Sequence, residues 1–298
     1  MSLVSLQKCP VCQGTTFEDR IRCKDHTTSQ ETFTIASCTN CGLLATTPRP
    51  SSENLNQYYL STAYVSHSGG SKSIIDRIYL LARKRTLKWK NKLISKIKTS
   101  GLLLDYGCGT GEFLYQMKHD NWNVMGVEPS PQARSKANHL IATPNTIFPS
   151  LDELSRTECD VITMWHVLEH VENLDTTLAT IKKLLKNDGL IFVAVPNHES
   201  YDANHYQQYW AGYDVPRHLW HFSFLTIEKL FKKHDLQLRQ TIPMKLDAYY
   251  VSLLSEKYKN PKNKLLSYLR ACWYGFLSNR KAKHNDNHSS IIYVFQHP

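Results

Sequence analysis

Residues 102–113, with the sequence LLLDYGCGTGEF, constrain the fold of this chain more than any other stretch. A short apolar run leads into a G-x-G-x-G loop and then into the start of a helix. This is the order found at the first strand-to-helix turn of a nucleotide-binding α/β sheet. Glycines permit a tight turn there, and they let a ligand approach the backbone where a Cβ would clash. The stretch therefore predicts a buried strand followed by a ligand-binding loop.

The charges beside the loop indicate what kind of ligand it binds. Asp105 precedes the loop and Glu112 begins the helix, so a pyrophosphate at the helix N-terminus would meet two carboxylates. The glycine spacing also differs from the G-x-G-x-x-G of dinucleotide sites. A cofactor without phosphate and with positively charged groups fits better, and S-adenosylmethionine, with its sulfonium and α-ammonium, is such a molecule.

The loop resembles motif I of the class I S-adenosylmethionine-dependent methyltransferases, and three further motifs follow in order. Residues 124–129 (VMGVEP) read as a second strand ending in an acid, residues 159–166 (CDVITMWH) as the fourth strand, and residues 184–197 as a helix end, a glycine turn and the fifth strand. The resemblance covers about residues 100–200. It implies an α/β fold with a Rossmann-like seven-stranded sheet in three αβα layers.

The same resemblance implies a set of cofactor-binding residues. Glu128 is expected to accept hydrogen bonds from the ribose hydroxyls. The full set is Asp105, Tyr106, Gly107, Cys108, Gly109, Gly111, Glu128, Pro129, Trp165 and His166. The alternative is a sheet with glycine turns and no cofactor.

Two C-x-x-C pairs near the N-terminus predict a small zinc ribbon. Cys9 and Cys12 are separated by 25 residues from Cys38 and Cys41. Four thiolates complete a tetrahedral shell with no open position, so such a zinc is structural. Disulfides and a redox motif are the alternatives, and Cys23 and His26 are alternate ligands.

Composition limits the remaining interpretations. The 298 residues suffice for an α/β core and a small appendage. Eight cysteines without a secretory signal indicate a reducing compartment, so we expect a cytoplasmic protein. No apolar run approaches the roughly 18 residues of a membrane span.

The positive charge is concentrated in residues 71–98, which contain ten Lys or Arg residues against one Asp. Apolar residues that include Trp89 recur at helical spacing, so the segment reads as an amphipathic helix whose basic residues, Lys90 among them, face outward. A solvated face is the plain interpretation. A phosphate-bearing substrate, an anionic membrane surface or RNA are the alternatives. A second lysine-rich amphipathic stretch covers about residues 246–284.

These anchors predict three regions: a zinc ribbon (1–48), a linker with a basic helical segment (49–99), and a cofactor-binding domain (100–298) with a helical insertion at about 246–284. Residues 236–242 and 291–296 read as late strands. The resemblance implies that they form an antiparallel hairpin at the sheet edge.

Two histidine groups follow the strands whose ends form the ligand crevice of such a sheet. One contains His166 and His170. The other lies in residues 214–223 (DVPRHLWHFS), which resemble a segment of bacterial methyltransferases of sugar and surface-glycan biosynthesis. By that resemblance His218 is the candidate general base. The family's preceding Glu is Arg217 here, which favours binding of a phosphate or carboxylate.

Several tyrosines are weaker candidates for the acceptor site, and the histidines have alternative roles. Tyr58, Tyr59 and Tyr64 are candidates for lining the acceptor site, with Tyr64 counted among the catalytic residues together with His218 and His166. The alternative to a catalytic role is that His218 and His221 only pack within a polar loop. Residues 166–170 (HVLEH) also resemble the E-x-x-E-H segment of quinone-pathway O-methyltransferases, which can hold a divalent ion, although His replaces the first Glu.

The favoured function is therefore methyl transfer to oxygen or carbon of a small molecule or glycan precursor, such as a nucleotide- or lipid-linked sugar. An RNA methyltransferase that grips phosphates with the ribbon and the basic helix is the alternative. Against it, the fourth strand ends in Met-Trp-His rather than the N-P-P-Y type of motif of base-amine methylases. A scaffold without cofactor is a third hypothesis, and the intact glycine loop with both acids argues against it.

Overall fold

The computed structural model describes residues 3–59, 74–154 and 157–298, with only the backbone for residues 74–82. Tyr64 and Lys72 lie outside the described residues. The strands are β1 (Leu3–Val4), β2 (Phe17–Lys24), β3 (Thr32–Cys38), β4 (Leu44–Thr46), β5 (Arg49–Pro50), β6 (Leu102–Tyr106), β7 (Asn123–Val127), β8 (Ile147–Phe148), β9 (Cys159–Trp165), β10 (Leu185–Pro196), β11 (Trp220–His221), β12 (Gln237–Pro243) and β13 (Ser290–Gln296). The α-helices are α1 (Ser52–Leu55), α2 (Ile74–Ile97), α3 (Glu112–His119), α4 (Pro131–Ile141), α5 (Leu174–Leu184), α6 (Tyr201–Tyr206), α7 (Phe224–Lys233), α8 (Asp247–Lys259) and α9 (Lys264–Ala282).

Seven strands form one mixed sheet in the order β12-β13-β10-β9-β6-β7-β8. β6 pairs in parallel with both β7 and β9, and β7 pairs in parallel with β8. This order confirms the predicted Rossmann-like sheet. The two late strands predicted from the sequence are β12 and β13, which are neighbours at one edge.

The contacts of the chain divide it into two compact units. The glycine-loop unit comprises His67–Trp165, Thr176–Phe192 and Phe295–Pro298, and the ribbon unit comprises Met1–Ser66, His166–Asp175 and Val193–Val294. The three regions drawn from the sequence remain a prediction.

In the glycine-loop unit, apolar side chains of β6 and the first helices form the core. Leu103, Leu104, Leu114 and Met117 are all fully buried. Asp160 fixes the start of β6, because its Oδ2 accepts a hydrogen bond of 2.8 Å from the Leu102 N–H and one of 3.0 Å from Lys186 Nζ. The sheet therefore holds the first residue of the strand that leads into the glycine loop.

In the ribbon unit, β11, β4, β3 and β2 form a four-stranded antiparallel sheet. Its apolar side packs with α6 and the turns after it in a cluster that contains Phe33, Ile35, Tyr206 and Trp210. The buried carboxylate of Asp202 in α6 accepts hydrogen bonds from Trp210 Nε1 (2.8 Å), Ser278 Oγ (2.6 Å) and Ser289 Oγ (2.7 Å). Because these donors come from three separate segments, Asp202 ties the helical insertion to the rest of the unit.

The connection before β10 differs from expectation. Helix α5 is followed immediately by β10, which includes Gly189, so the glycine turn expected before the fifth strand is absent. No helix among the described residues combines the length and the hydropathy of a membrane span.

Candidate functional site

The glycine loop has the backbone that its sequence requires. Gly107, Gly109 and Gly111 have φ angles of 77°, 56° and 83°, in the left-handed region that favours glycine. A methyl group on Gly109 would meet no atom of the described residues within 4 Å, whereas one on Gly111 would lie 3.1 Å from Cα and Cβ of Ala137. Gly111 therefore permits close packing of α3 on α4, and Gly109 borders open space that a ligand can occupy.

Glu128 is held beside this loop by backbone amides. Its Oε2 accepts a hydrogen bond of 2.9 Å from the Gly109 N–H, and its Oε1 accepts one of 2.9 Å from the Ser130 N–H. Each carboxylate oxygen has two lone pairs, so both can still accept a ligand hydroxyl. The carboxylate at the end of β7 is thus preoriented by the loop.

The two other carboxylates expected at the loop contribute less charge than the sequence indicates. Asp105 is buried, accepts a hydrogen bond of 2.6 Å from Thr163 Oγ1, and has its pKa raised to about 7 by burial. Glu112 is paired with Arg83. Among the described residues, Glu128 is therefore the acid of this group whose side chain forms no ion pair and accepts from backbone amides.

The basic helix also differs from expectation. Lys90, expected on the outer face, is buried, and its Nζ lies 4.1 Å from the ring centroid of Trp165, while Trp89 is 37% exposed. Phe113 meets the same indole edge-on at 5.4 Å. Lys98 pairs with Asp188 at 2.9 Å. Arg83, Lys90 and Lys98 therefore have intramolecular partners and add little to a free basic surface.

The four predicted zinc ligands come together in the ribbon unit. Sγ of Cys9 lies 3.5 Å from Sγ of Cys41, Sγ of Cys12 lies 3.5 Å from Sγ of Cys38, and all four lie within 4.8 Å of one another. Four sulfurs about 2.3 Å from a tetrahedral zinc lie about 3.8 Å apart, so the cluster fits the ion.

The two alternate zinc ligands are engaged elsewhere. Cys23 is buried in the apolar cluster of the ribbon unit, and His26 stacks on the ring of Tyr258 at 4.5 Å. Neither belongs to the group of thiols that can hold a metal ion.

His166 begins the segment of the ribbon unit that follows β9. Its φ of 58° is unusual for a residue with a Cβ, and such conformations concentrate at functional sites. Its Nε2 lies 3.1 Å from Oδ2 of Asp247 and its Nδ1 lies 3.4 Å from Oε1 of Glu169. Burial acts to lower the pKa of His166, but these two acids outweigh it and raise the pKa to about 9. At neutral pH this imidazolium has no lone pair with which to act as a base.

Glu169, His170 and His218 form a second cluster, in which a carboxylate oxygen and one ring nitrogen of each histidine lie within 4.8 Å of one another. Both oxygens of Glu169 are buried without a hydrogen-bond partner among the described residues. Burial acts to raise the pKa of Glu169, yet the nearby imidazolium of His166 lowers it. Glu169 is therefore an ionised acceptor in the interior.

The hydrogen bonds of the two histidines fix their neutral tautomers. Nδ1 of His218 lies 2.9 Å from the Gly212 carbonyl and Nδ1 of His170 lies 3.0 Å from the Arg217 carbonyl. A carbonyl oxygen only accepts, so each Nδ1 carries a proton, and in the neutral form of each ring Nε2 keeps the lone pair. Burial lowers the pKa of His170 to about 4, which favours its neutral form. The cluster is rich in acceptors, and a substrate hydroxyl or a cation fits it.

Arg217 is not available to an external anion, contrary to expectation. Its side chain is buried, and its nitrogens donate to Asp214 (2.9 and 2.7 Å), Asp25 (3.0 Å), the Tyr58 carbonyl (3.0 Å) and Thr28 (3.4 Å). The guanidinium therefore links the β2–β3 turn of the ribbon to the residues that precede His218.

A family model for a methyltransferase domain matches residues 77–241, more than half of the chain. The chain belongs to this methyltransferase family. It is 32% identical over 117 residues to the ubiquinone biosynthesis O-methyltransferase of Glaesserella parasuis serovar 5 (strain SH0165), a match that covers 34% of this chain and 49% of that protein. It is 30% identical over 101 residues to the ubiquinone biosynthesis O-methyltransferase of Pelagibacter ubique (strain HTCC1062), covering 32% and 42%. The matches thus extend over about half or less of these curated relatives.

Solved structures confirm the methyltransferase fold. The magnesium protoporphyrin IX methyltransferase of Synechocystis PCC 6803, determined with bound SAH, superposes with a TM-score of 0.53 at 11% identity, covering 83% of this chain and 100% of that one. At that identity the likeness concerns the fold alone.

The candidate site residues of this chain fall in both units. Nine of the ten predicted cofactor residues belong to the glycine-loop unit, and His166 belongs to the ribbon unit with His170 and His218. Tyr59 joins the second cluster, because its hydroxyl lies 3.0 Å from Nδ1 of His170. Tyr58 is a core residue whose hydroxyl donates to Glu31 at 2.6 Å.

Three acids that the sequence does not mark as candidates pair with candidate residues: Asp25 and Asp214 pair with Arg217, and Asp247 pairs with His166. Asp25 and Asp247 are far in sequence from the residues that they influence, and no motif contains them. Asp214 had a usable signal, since an acid three residues before Arg217 can pair with it.

Alanine substitutions at two of the loop glycines, Gly109 and Gly111, are expected to have separable effects on stability and cofactor binding. Gly109→Ala should cost about 1 kcal/mol of stability, from the left-handed backbone, because the methyl group meets no atom of the described residues. It should nevertheless weaken cofactor binding, since the methyl group enters the open space. Gly111→Ala should cost more stability, about 2–3 kcal/mol, because Ala137 must also move. Urea unfolding and calorimetric titration with S-adenosylhomocysteine measure the two effects, and equal cofactor affinity in Gly109→Ala and the native protein would contradict the assignment.

Replacing Arg217 is expected to lower the stability of the protein strongly. Arg217→Met leaves Asp25 and Asp214 without their counter-charge and should lower the free energy of unfolding by about 3–5 kcal/mol. Lys233→Met removes an exposed pair with Asp175 and should cost no more than about 1 kcal/mol. Burial acts to raise the pKa of Asp25, but Arg217 holds it at about 2, so the pair's contribution persists above about pH 4 and disappears as the pH falls toward 2. Urea unfolding of both variants at several pH values tests this, and a loss below 1 kcal/mol in Arg217→Met would contradict it.

Proposed function

We propose that this chain is an S-adenosylmethionine-dependent methyltransferase whose acceptor is a hydroxyl or an acidic carbon of a small molecule or glycan precursor. The proposal depends on one observation in the glycine loop. Gly109 borders open space, and its N–H donates to the preoriented carboxylate of Glu128. The open space and the acid together suit a ribose and a cofactor without phosphate.

The residues that would hold the cofactor lie in the glycine-loop unit. Gly107 to Gly111 would supply backbone surface, and Glu128 would accept the ribose hydroxyls. Bound S-adenosylmethionine supplies a methyl group on a sulfonium, which an in-line nucleophile displaces. The remaining candidates of that unit, Asp105, Tyr106, Cys108, Pro129 and Trp165, stay predictions.

The acceptor cluster of the ribbon unit, formed by Glu169, His170 and His218, supplies a base. His218 donates through Nδ1 to Gly212, so its Nε2 can take the proton of an acceptor hydroxyl as that oxygen gains the methyl group. The resulting imidazolium would be stabilised by Glu169 and by Asp214, whose Oδ2 lies 4.0 Å from Nε2. The cation of His166 would hold Glu169 in its ionised form. His166 thus has an electrostatic role in this proposal, and Tyr64 stays a candidate outside the described residues.

A sugar suits this cluster because its hydroxyls can donate to the buried oxygens of Glu169, which accept no hydrogen bond among the described residues. The segment 214–223 also resembles that of glycan-biosynthesis methyltransferases. We therefore infer O- or C-methylation of a sugar, in nucleotide-linked or lipid-linked form. Because Arg217 is internal, other residues must bind any phosphate of that acceptor.

RNA methylation has less support. Among the described side chains of segment 71–98, Arg83, Lys90 and Lys98 have intramolecular partners, which weakens the case for a helix that binds phosphates. Strongly salt-dependent binding of RNA would favour it.

The cluster of four cysteines predicts one tightly bound zinc per chain. Removing it with a chelator should lower the thermal midpoint, because four thiolates then have no counter-ion and the ribbon carries Asp25, the partner of Arg217. Metal analysis by mass spectrometry measures the stoichiometry, and Cys12→Ser is the matched variant. A metal that is retained in Cys12→Ser but lost in Glu169→Gln would assign a cation to the second cluster. The zinc assignment would be contradicted if the native protein contained no metal and a chelator left its thermal midpoint unchanged.

His218→Asn predicts loss of turnover with retention of fold. The Asn amide can replace Nδ1 as donor to Gly212 but has no counterpart of Nε2, so methyl transfer should fall by about 10²–10⁴-fold. Affinity for S-adenosylhomocysteine and the thermal midpoint should stay near native values. His205→Asn, a half-buried histidine that stacks on Tyr274, is the control. The assay is mass spectrometry for a methylated product from candidate nucleotide-sugars and glycolipids, and native turnover in His218→Asn would remove it as the base.

A further inference from the structure

We propose that the outer face of helix α9 docks on the surface of an anionic lipid bilayer. This face, called the α9 apolar face below, consists of Leu265, Leu269, Trp273 and Phe276, which are 73%, 63%, 57% and 46% exposed. Their spacing of three and four residues places them on one side of the helix. The inference goes beyond the proposed reaction and does not depend on it.

The orientation of α9 is the reverse of that in an ordinary surface helix. Its buried side consists of small residues, and its large apolar residues face solvent. The buried residues are Ser267, Ala271, Gly275, Ser278 and Ala282. A helix that needs only a water-soluble surface buries its large apolar side chains instead.

Close packing against α8 fixes this orientation. A methyl group on Gly275 would lie 2.7 Å from Cδ1 and 2.9 Å from Cα of Tyr249, so the two helices approach too closely for a larger residue. Ser278 donates to the buried Asp202 at 2.6 Å, and Asn279 Nδ2 donates to the Lys245 carbonyl at 2.9 Å. The helix cannot turn its large residues inward without losing these contacts, so their exposure is built into the fold.

The charges around the α9 apolar face match an anionic lipid surface. Residues 257–283 contain eight Lys or Arg residues and no Asp or Glu. All eight are exposed: Lys257, Lys259, Lys262, Lys264, Arg270, Arg280, Lys281 and Lys283. Each such charge near an anionic membrane contributes about a fivefold gain in affinity.

A bilayer accounts for this combination better than a second copy of the chain. Pairing two α9 apolar faces would bring two sets of eight positive charges together, which costs energy, whereas anionic headgroups neutralise them. A bilayer also accepts Leu, Trp and Phe from one helix without a complementary pocket. α9 has 19 residues and is interrupted by Arg270, and it does not meet the criteria of a spanning helix, so it lies on the bilayer rather than across it.

Co-sedimentation of the full chain with lipid vesicles tests the proposal. We expect binding to equimolar phosphatidylcholine and phosphatidylglycerol, no binding to phosphatidylcholine alone, and weakening by added salt. Leu269→Glu combined with Trp273→Glu should reduce the affinity at least tenfold, and Arg270→Gln by about fivefold. Leu225→Glu, at a leucine of α7 that is 56% exposed in the same unit, is the matched control and should bind as the native chain does.

Three results would overturn the proposal. One is equal binding of the native chain and the double variant, provided that both have the same thermal midpoint and affinity for S-adenosylhomocysteine. Another is equal binding to the anionic and zwitterionic vesicles. The third is a native dimer by light scattering without vesicles that becomes monomeric in the double variant, together with no vesicle binding, which would assign the face to a second copy.

Discussion

The guanidinium of Arg217 lies inside the ribbon unit, where it bonds carboxylates from two distant parts of the chain. Asp25 comes from the turn between β2 and β3, and Asp214 comes from the segment before β11. A buried charge costs several kcal/mol unless it is paired, so each of these segments stabilises the native position of the other. His218 follows Arg217 directly, and its N–H bonds the Asp214 carbonyl at 3.0 Å. The position of the candidate base therefore depends on a folded ribbon.

Features encoded by local spacing were predictable from the sequence. The glycine loop, the strands around it and the four clustered thiols depend on residues whose order along the chain fixes their geometry. The role of Arg217 was not predictable, because its partner Asp25 is 192 positions away. In the sequence it stands where a substrate contact is expected, and only its burial makes it a structural cation. The same holds for Asp247, which changes the protonation of His166 across 81 positions.

Formal charge was also an incomplete guide to the electrostatics of the loop. Asp105, Glu112 and Glu128 carry the same charge in the sequence, yet burial favours the neutral form of Asp105 and Arg83 neutralises Glu112. Desolvation and pairing are properties of the folded chain, so a count of acids overstates the negative potential. The preference for a cofactor without phosphate then depends on Glu128, whose carboxylate occupies the amide of Gly109 in the loop and the amide of Ser130.

Amphipathic spacing predicted helices in the insertion but not which side faces the protein. In α9 the small residues decide this, because Gly275 allows a close approach to Tyr249 that no larger residue allows. The large apolar residues are left outside, among exposed cations. Such a surface has a consequence for the choice of acceptor. A lipid-linked sugar stays in the bilayer, so an enzyme held on that bilayer meets it by diffusion in two dimensions, whereas a nucleotide-sugar gains nothing from the docking. The α9 apolar face therefore favours the lipid-linked form among the acceptors that suit the cluster around His218.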